Sequence, residues 1–410
     1  MAERTRSFSV SFTGQSLIKE DVLAYDAPDF VKVAKLIAAS DFAFTGYEGT
    51  LRGRYGGWPM KSSFLHVSEP LVLDSLKHLG FNLLSLSNNH AFDLGPGGIL
   101  STIEEAHARG FAHSGTGATL ADATRAATLE REGATVALVA MDAGPQGEHV
   151  YASDSTARIE ARPGSNRLRV HTTLGVPRAE LDALTQLSEQ LGYEQRKSAN
   201  RKVGYRQTPG AGFEFYGLRF EEADAPVERR QVDADDAERN LRAIREAAQR
   251  ADLAIVYVHH HHWEPQWERA PEWLREFAMR CVDAGAGAFV SHGVPMLQGI
   301  EIYKGAPLLY GFGNFIFHTF QAEKYTDERI WQSVVARCRF SAKGCDEIEL
   351  MPIVLGGEEA VRNGRYDARR VPHIAHGSYG SSILERLAML SSQFGTRIEI
   401  EDGRGIVRMR

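Results

Sequence analysis

Short apolar runs alternate with amphipathic stretches along most of the chain. "FSVSF" (Phe8 to Phe12) reads as a strand, "DFVKVAKLIAAS" (Asp29 to Ser40) as a helix, and "DFAFTGYE" (Asp41 to Glu48) as a second strand running into a loop. A helix at "SEPLVLDSLKHLG", a strand at "FNLLSLS", a helix at "PGGILSTIEEAHARG" and a strand at "TVALVAMD" continue the rhythm. Residues from about 145 to 235 break it with Arg-, Gly- and Pro-rich segments and one polar helix near Arg178 to Leu191, which marks an insert or lid. From Ala237 the alternation resumes through "LAIVYV", "PEWLREFAMRCVDAG" and "AGAFVS" to "GIEIYKGAPLLYGFGNFIF". Strands alternating with helices predict an α/β core. The expected organisation is a core over 1–320 that includes the insert, followed by C-terminal strands and a helix over 321–410 packed on that core.

Polar residues collect where the predicted strands end. Glu48 follows one strand, Asn88, Asn89 and His90 another, the run His259 to His262 a third, and His292 a fourth. In open α/β sheets ligands bind beyond the carboxyl ends of strands, where loops converge on a rigid support. A mixture of carboxylate, amide and imidazole suits a zinc, manganese or iron ion rather than a thiolate site.

The four consecutive histidines in "VYVHHHHWEP" sharpen this picture. Successive strand residues point to opposite faces, so His259 and His261 share one face and His260 and His262 the other. One pair can face a site while the other packs or orients it. The bland alternative is a solvated loop with Trp263 covering the core.

Charge and cysteine content narrow the class. The 410-residue chain has a net charge of -6, which argues against a general nucleic-acid binder. Its three cysteines, Cys281, Cys338 and Cys345, lack zinc-ribbon spacing and point to a reducing compartment without structural disulfides. The start "MAERTRSFSVSF" carries no apolar signal core, and no apolar run approaches the roughly 18 residues of a membrane span, so a cytoplasmic protein is expected.

Three segments together, "NLLSLSNNHAFDLGPGGILSTIEEAHARGFAHSGTG", "VYVHHHHWEP" and "GAGAFVSHGVPMLQGIEIYKGAPLLYGFGNFIF", resemble the CapA family of poly-gamma-glutamate capsule biosynthesis proteins, within the calcineurin-like metallophosphatase superfamily. The resemblance extends from Phe8 to about Phe317. It implies a metallophosphatase-like mixed-sheet sandwich flanked by helices, with a metal centre at the strand ends and a peptide-like or polyglutamate-like substrate. Carried over by residue, it implies metal ligands at Glu48, Asn89, His259 and His292, with His261 as the nearby option. His90 takes the place of the family's catalytic histidine. Asp93 is suited to orient His90 or to cap the following helix.

Two positions depart from the family pattern. Gln15 stands where an anionic ligand is usual after the first strand, and Pro295 stands where a closing histidine is usual. Both losses fall on the second metal of the usual pair, which leaves one divalent ion and frees Gln15 to meet substrate; a shifted alignment would give the lost role to Glu20 or His261. Arg167 and Arg169 in the insert are candidates to clamp substrate carboxylates, or simply solvated surface cations.

These residues predict a metal-dependent hydrolase of amide or peptide-like bonds, including gamma-glutamyl bonds, with His90, Asp93 and His261 moving protons. Two other classes stay open. One is a metal-free acid/base enzyme, such as a peptide epimerase or lyase, because imidazoles move protons near neutral pH. The other is a non-catalytic binding factor for an acidic polymer.

Overall fold

The computed structural model describes residues 7–205, 212–365, 368 and 370–409. Its longest strands gather into two mixed sheets. The first has nine strands: Phe8–Phe12 lies between Gln332–Ser341, which runs antiparallel to it, and Phe42–Gly46, which runs parallel. Parallel strands Leu83–Ser85 and Ala112–Ser114 extend one side, and Gly344–Leu355, Pro372–Ile374, Arg404–Arg408 and Glu399–Glu401 complete the other. The second sheet has six strands, with Leu253–His259 parallel to both of its neighbours, Ala134–Asp142 and Ala288–His292.

Both sheets contribute to one apolar core, because every side chain of their central strands is buried. Val10, Phe12 and Phe44 from the first sheet join Val136, Leu138, Ile255 and Tyr257 from the second in a single cluster. The rings of Phe44 and Tyr257 meet across it with centroids 5.4 Å apart. Burying each such side chain contributes about 1.5–3 kcal/mol, so the relative position of the strand ends is well fixed. Helices cover the sheets by presenting apolar stripes at helical spacing: Pro28–Ala38 buries Phe30, Val33 and Ile37, and Ala234–Arg250 buries Ala237, Leu241, Ile244 and Ala247. This is the α/β arrangement of mixed sheets and flanking helices that the sequence predicts.

Two boundaries differ from the sequence reading. The C-terminal strands do not merely pack on a finished core; they supply five strands of the first sheet, including the partner of Phe8–Phe12. The insert is also narrower than residues 145–235. Val170–Asp233 forms a compact unit of its own, while 145–169 belongs to the larger one. Pairing explains the difference, since Gly164–Ser165 bonds to Thr116–Gly117 and Arg167 bridges Asp142. The small unit contains a four-stranded sheet and the helices Arg178–Gln190 and Tyr193–Lys202, with Tyr193, Phe213, Phe215 and Phe220 in ring contact. Residues 206–211 of the polar segment noted above lie outside the described residues.

All three cysteines are buried and free. Among the described residues no helix is long and apolar enough to cross a membrane.

Candidate metal centre

The carboxyl ends of four strands meet in the larger unit. Leu253–His259 and Ala288–His292 are in parallel register with His259 opposite His292. Glu48 follows Phe42–Gly46 and is anchored by its backbone N–H, which donates to the Ser16 carbonyl at 3.0 Å. After Leu83–Ser85 the chain turns tightly: Asn88 Nδ2 donates to the Tyr47 carbonyl at 2.8 Å, and its Oδ1 accepts from the His90 backbone at 2.9 Å. Asn88 is thus committed to the turn. Its neighbours Asn89 and His90 are what the turn displays.

Asn89 Oδ1 lies 2.9 Å from His259 Nε2, which in turn lies 3.2 Å from His261 Nε2. Donor atoms of Glu48, His259 and His261 all fall within 4.8 Å of one another. The alternation read from the sequence holds here: His259 and His261 face this cluster. His260 and His262 instead pack edge-on against Trp273, at 5.3 and 5.8 Å between ring centroids, and His262 Nε2 donates to the Ala143 carbonyl at 3.0 Å.

His292 stands outside that three-residue group. Its ring packs against Tyr257, and neither ring nitrogen has a hydrogen-bond partner among the described residues. Gly293 follows in a left-handed conformation, φ 118°, where a Cβ would collide with the His260 carbonyl, so only glycine lets the chain leave the strand here.

Burial dominates the electrostatics. It pushes the Glu48 carboxyl up to about 8, with the Lys61 charge pulling the other way. It holds His259 far below the usual imidazole range, lowers His292 to about 3 and, assisted by the His90 charge, lowers His261 to about 4. Neutral imidazoles are the ligand form of histidine. Glu48 Oε2 and both nitrogens of His292 are buried without a partner, a costly state that a bound cation would relieve. An oxygen-and-nitrogen donor set of this kind fits a divalent ion such as zinc, manganese or iron.

Beside the donor set sits a second group centred on Asp93, which is fully buried. His90 Nδ1 lies 2.8 Å from Asp93 Oδ2, Lys61 Nζ lies 2.8 Å from Asp93 Oδ1, and the His66 backbone N–H donates to Oδ2 at 2.8 Å. Burial alone would raise the Asp93 carboxyl, but the hydrogen bond to His90 and the Lys61 charge outweigh it and hold it below the usual carboxylate range. An ionised Asp93 fixes the proton of His90 on Nδ1 and leaves Nε2 for the pocket. Asp93 therefore orients His90, and no side-chain cap bond is made to the helix Gly95–Ala108. The rings of His90 and His66 lie against each other at a tilt of 47°, with centroids 3.9 Å apart.

These groups line a cavity of about 490 Å³ that includes Glu48, Lys61, His66, Asn89, His90 and His261. Lys61 and His66 were not expected from the sequence. They lie in the loop "GGWPMKSSFLHVS", whose lack of periodicity gives no face to assign; its one signal is a lysine and a histidine on a segment flanked by strand ends.

Gln15 and Pro295 also line the cavity, but the Gln15 amide is committed on both sides: Nε2 donates to Asn314 at 3.0 Å, and Oε1 accepts from the Gly293 backbone at 3.0 Å. It ties the start of the chain to the loop after His292 instead of offering a free group to substrate. Glu20 pairs with Arg370. Arg167 and Arg169, expected as a substrate clamp, are held by buried Asp236 through Nε contacts of 3.0 and 2.7 Å, together with Arg239 at 2.6 Å. Their charges are used within the fold.

Comparison with known proteins adds the lineage of this site. A family model described as bacterial capsule synthesis protein PGA_cap matches residues 9–319. Protein y4sH of Sinorhizobium fredii (strain NBRC 101917 / NGR234) is 29% identical, over 98% of this chain and 93% of its own. The PGA biosynthesis protein CapA of Bacillus subtilis (strain 168) is 26% identical over 159 residues, covering 38% of this chain and 40% of that one. A protein of Thermus thermophilus known by crystal structure superposes with a TM-score of 0.40 at 12% identity, over 84% of this chain and 98% of that one.

Proposed function

Because the chain belongs to the bacterial capsule synthesis protein family, we propose that it is a metal-dependent hydrolase of amide or peptide-like bonds, with gamma-glutamyl bonds the favoured class. The observation that carries this reading is the grouping of Glu48, His259 and His261 within 4.8 Å beside a His90–Asp93 pair, with Glu48, His261 and His90 on the wall of one cavity. Glu48, Asn89, His259 and His261 would hold a single divalent ion, with His292 directly beside His259 as a further ligand. When bound, such an ion supplies Lewis acidity and lowers the pKa of its water.

The chain's own residues supply the rest. His90 presents an unprotonated Nε2 to the cavity, takes up a proton there from the attacking water and passes it to the departing amine. Asp93 holds the ring in that tautomer and stabilises the imidazolium formed between the two transfers. Lys61 closes the other oxygen of Asp93 and places a positive charge on the cavity wall, which favours a carboxylate-bearing substrate. The tilted ring of His66 packs against His90 and restricts it.

The test is metal content followed by activity. Protein isolated without chelators should hold about one divalent ion per chain and hydrolyse gamma-glutamyl amides; chelation should remove both, and readdition restore both. Turnover unaffected by complete metal removal would replace this reading with metal-free acid/base chemistry at His90 and Asp93.

A further inference from the structure

A second cavity of about 960 Å³ adjoins the one described, and Tyr325 lines both. Their walls are continuous at two further places. Pro295 lines the first and Met296 the second, and Trp263 of the first packs on Trp267 of the second with ring centroids 4.6 Å apart. A linear molecule with one unit beside His90 therefore has an adjoining space for the units that follow.

The lining of the second cavity is sorted by charge. Gln298, fully buried, donates through Nε2 to the carbonyls of Trp267 at 2.8 Å and Arg269 at 3.1 Å, which pins that wall. Opposite, Arg329 binds Asp327 at 2.6 Å and Glu268 at 2.7 Å, and Arg386 approaches the other Glu268 oxygen at 3.3 Å. Both carboxylates are thereby neutralised. Two cations on the same lining, Arg269 and Lys324, have no carboxylate partner among the described residues. What the cavity offers a ligand is therefore positive charge beside the flat faces of Trp267 and Tyr325. A volume of this size falls in the range of ligand pockets.

We infer that this cavity is an extension subsite that holds the continuing part of a carboxylate-bearing, amide-linked chain whose reacting unit sits beside His90. Arg269 and Lys324 pair with its carboxylates, while Trp267 and Tyr325 support its amide backbone. The inference rests on the proposed action on amide-linked substrates, and it adds a preference for chain length that the reacting site alone does not supply.

Binding and turnover separate the two ideas. Binding of gamma-glutamyl dimer and octamer is measured on the His90→Ala protein by calorimetry, with and without the added pair Arg269→Glu and Lys324→Glu. The octamer should bind at least about tenfold tighter than the dimer, and the charge-reversed pair should remove most of that difference. In the enzyme with His90 intact, the octamer-to-dimer ratio of kcat/KM should fall in parallel. Equal binding of the two lengths, or a length preference untouched by the charge reversal, overturns the subsite. Length-dependent binding that charge reversal abolishes, without hydrolysis of either length, supports the subsite and overturns the hydrolytic reading instead.

Discussion

Glu48 and Asp236 are both buried carboxylates of the same larger unit, and their surroundings drive them apart. Asp236 receives Arg167, Arg169 and Arg239, and although burial raises its carboxyl, these contacts bring it down to about 2. Among the described residues Glu48 has no guanidinium paired with it and keeps one oxygen without a partner, and burial pushes it up to about 8. A carboxylate with its full complement of donors joins segments distant in sequence and has nothing left for a ligand. A carboxylate left short of donors in the same degree of burial costs stability unless something else arrives, and that deficit marks the place where chemistry can occur.

The largest effect should come from reversing the saturated case. Asp236→Asn strands three arginines and should lower unfolding stability by about 3 kcal/mol, read by denaturant titration, while metal content per folded molecule stays the same. Loss of metal with unchanged stability would erase the distinction. Glu48→Gln should do the opposite, weakening metal binding by about a hundredfold or more while leaving the metal-free protein as stable as before or slightly more so. A metal titration with parallel thermal unfolding checks both halves. His90→Ala should retain the metal and reduce turnover by about a hundredfold; loss of metal would make His90 a ligand.

A smaller effect follows from acid. The depressed carboxyl of Asp236 contributes stability that is present above its unfolded value of 3.8 and lost as pH falls toward 2. Allowing for partial solvent screening, this amounts to roughly 1–2 kcal/mol. Unfolding curves between those pH values should be flatter for Asp236→Asn than for the parent. Least affected should be the away-facing histidines: His262→Ala loses one bond to the Ala143 carbonyl and ring packing on Trp273, about 1 kcal/mol, with metal affinity unchanged. The same substitution at His261 should lower metal affinity.

Much of the site was legible because it depends on local periodicity. Polar residues at strand ends could be read from apolar runs, and the division of the histidine run followed from the two-residue repeat of a strand. What escaped depends on contacts between distant positions. Lys61 and His66 reach Asp93 from an aperiodic loop, and nothing in their local sequence says so. Arg167 and Arg169 looked like free cations because their partner, Asp236, enters from a helix 67 residues or more away. Gln15 looked like a vacated ligand position, whereas its partner Asn314 lies 299 residues along the chain. The five C-terminal strands carry clear strand patterns, but pairing across the whole chain is a property of topology, not of pattern.

That topology also governs when the protein can become whole. Phe8–Phe12 leaves the ribosome long before one of its two neighbours, Gln332–Ser341, on the order of 300 residues later in the chain. At ordinary elongation rates of about 5–20 residues per second the gap is on the order of half a minute. During that interval one edge of an apolar strand has no native partner, the condition under which chains pair with one another. A fragment ending at residue 319, where the family match stops, would keep that edge open permanently. All of the residues assigned to the metal centre would be present in such a fragment, but the sheet that supports Glu48 and Asn89 would lack its C-terminal strands, and aggregation would compete with folding from the outset.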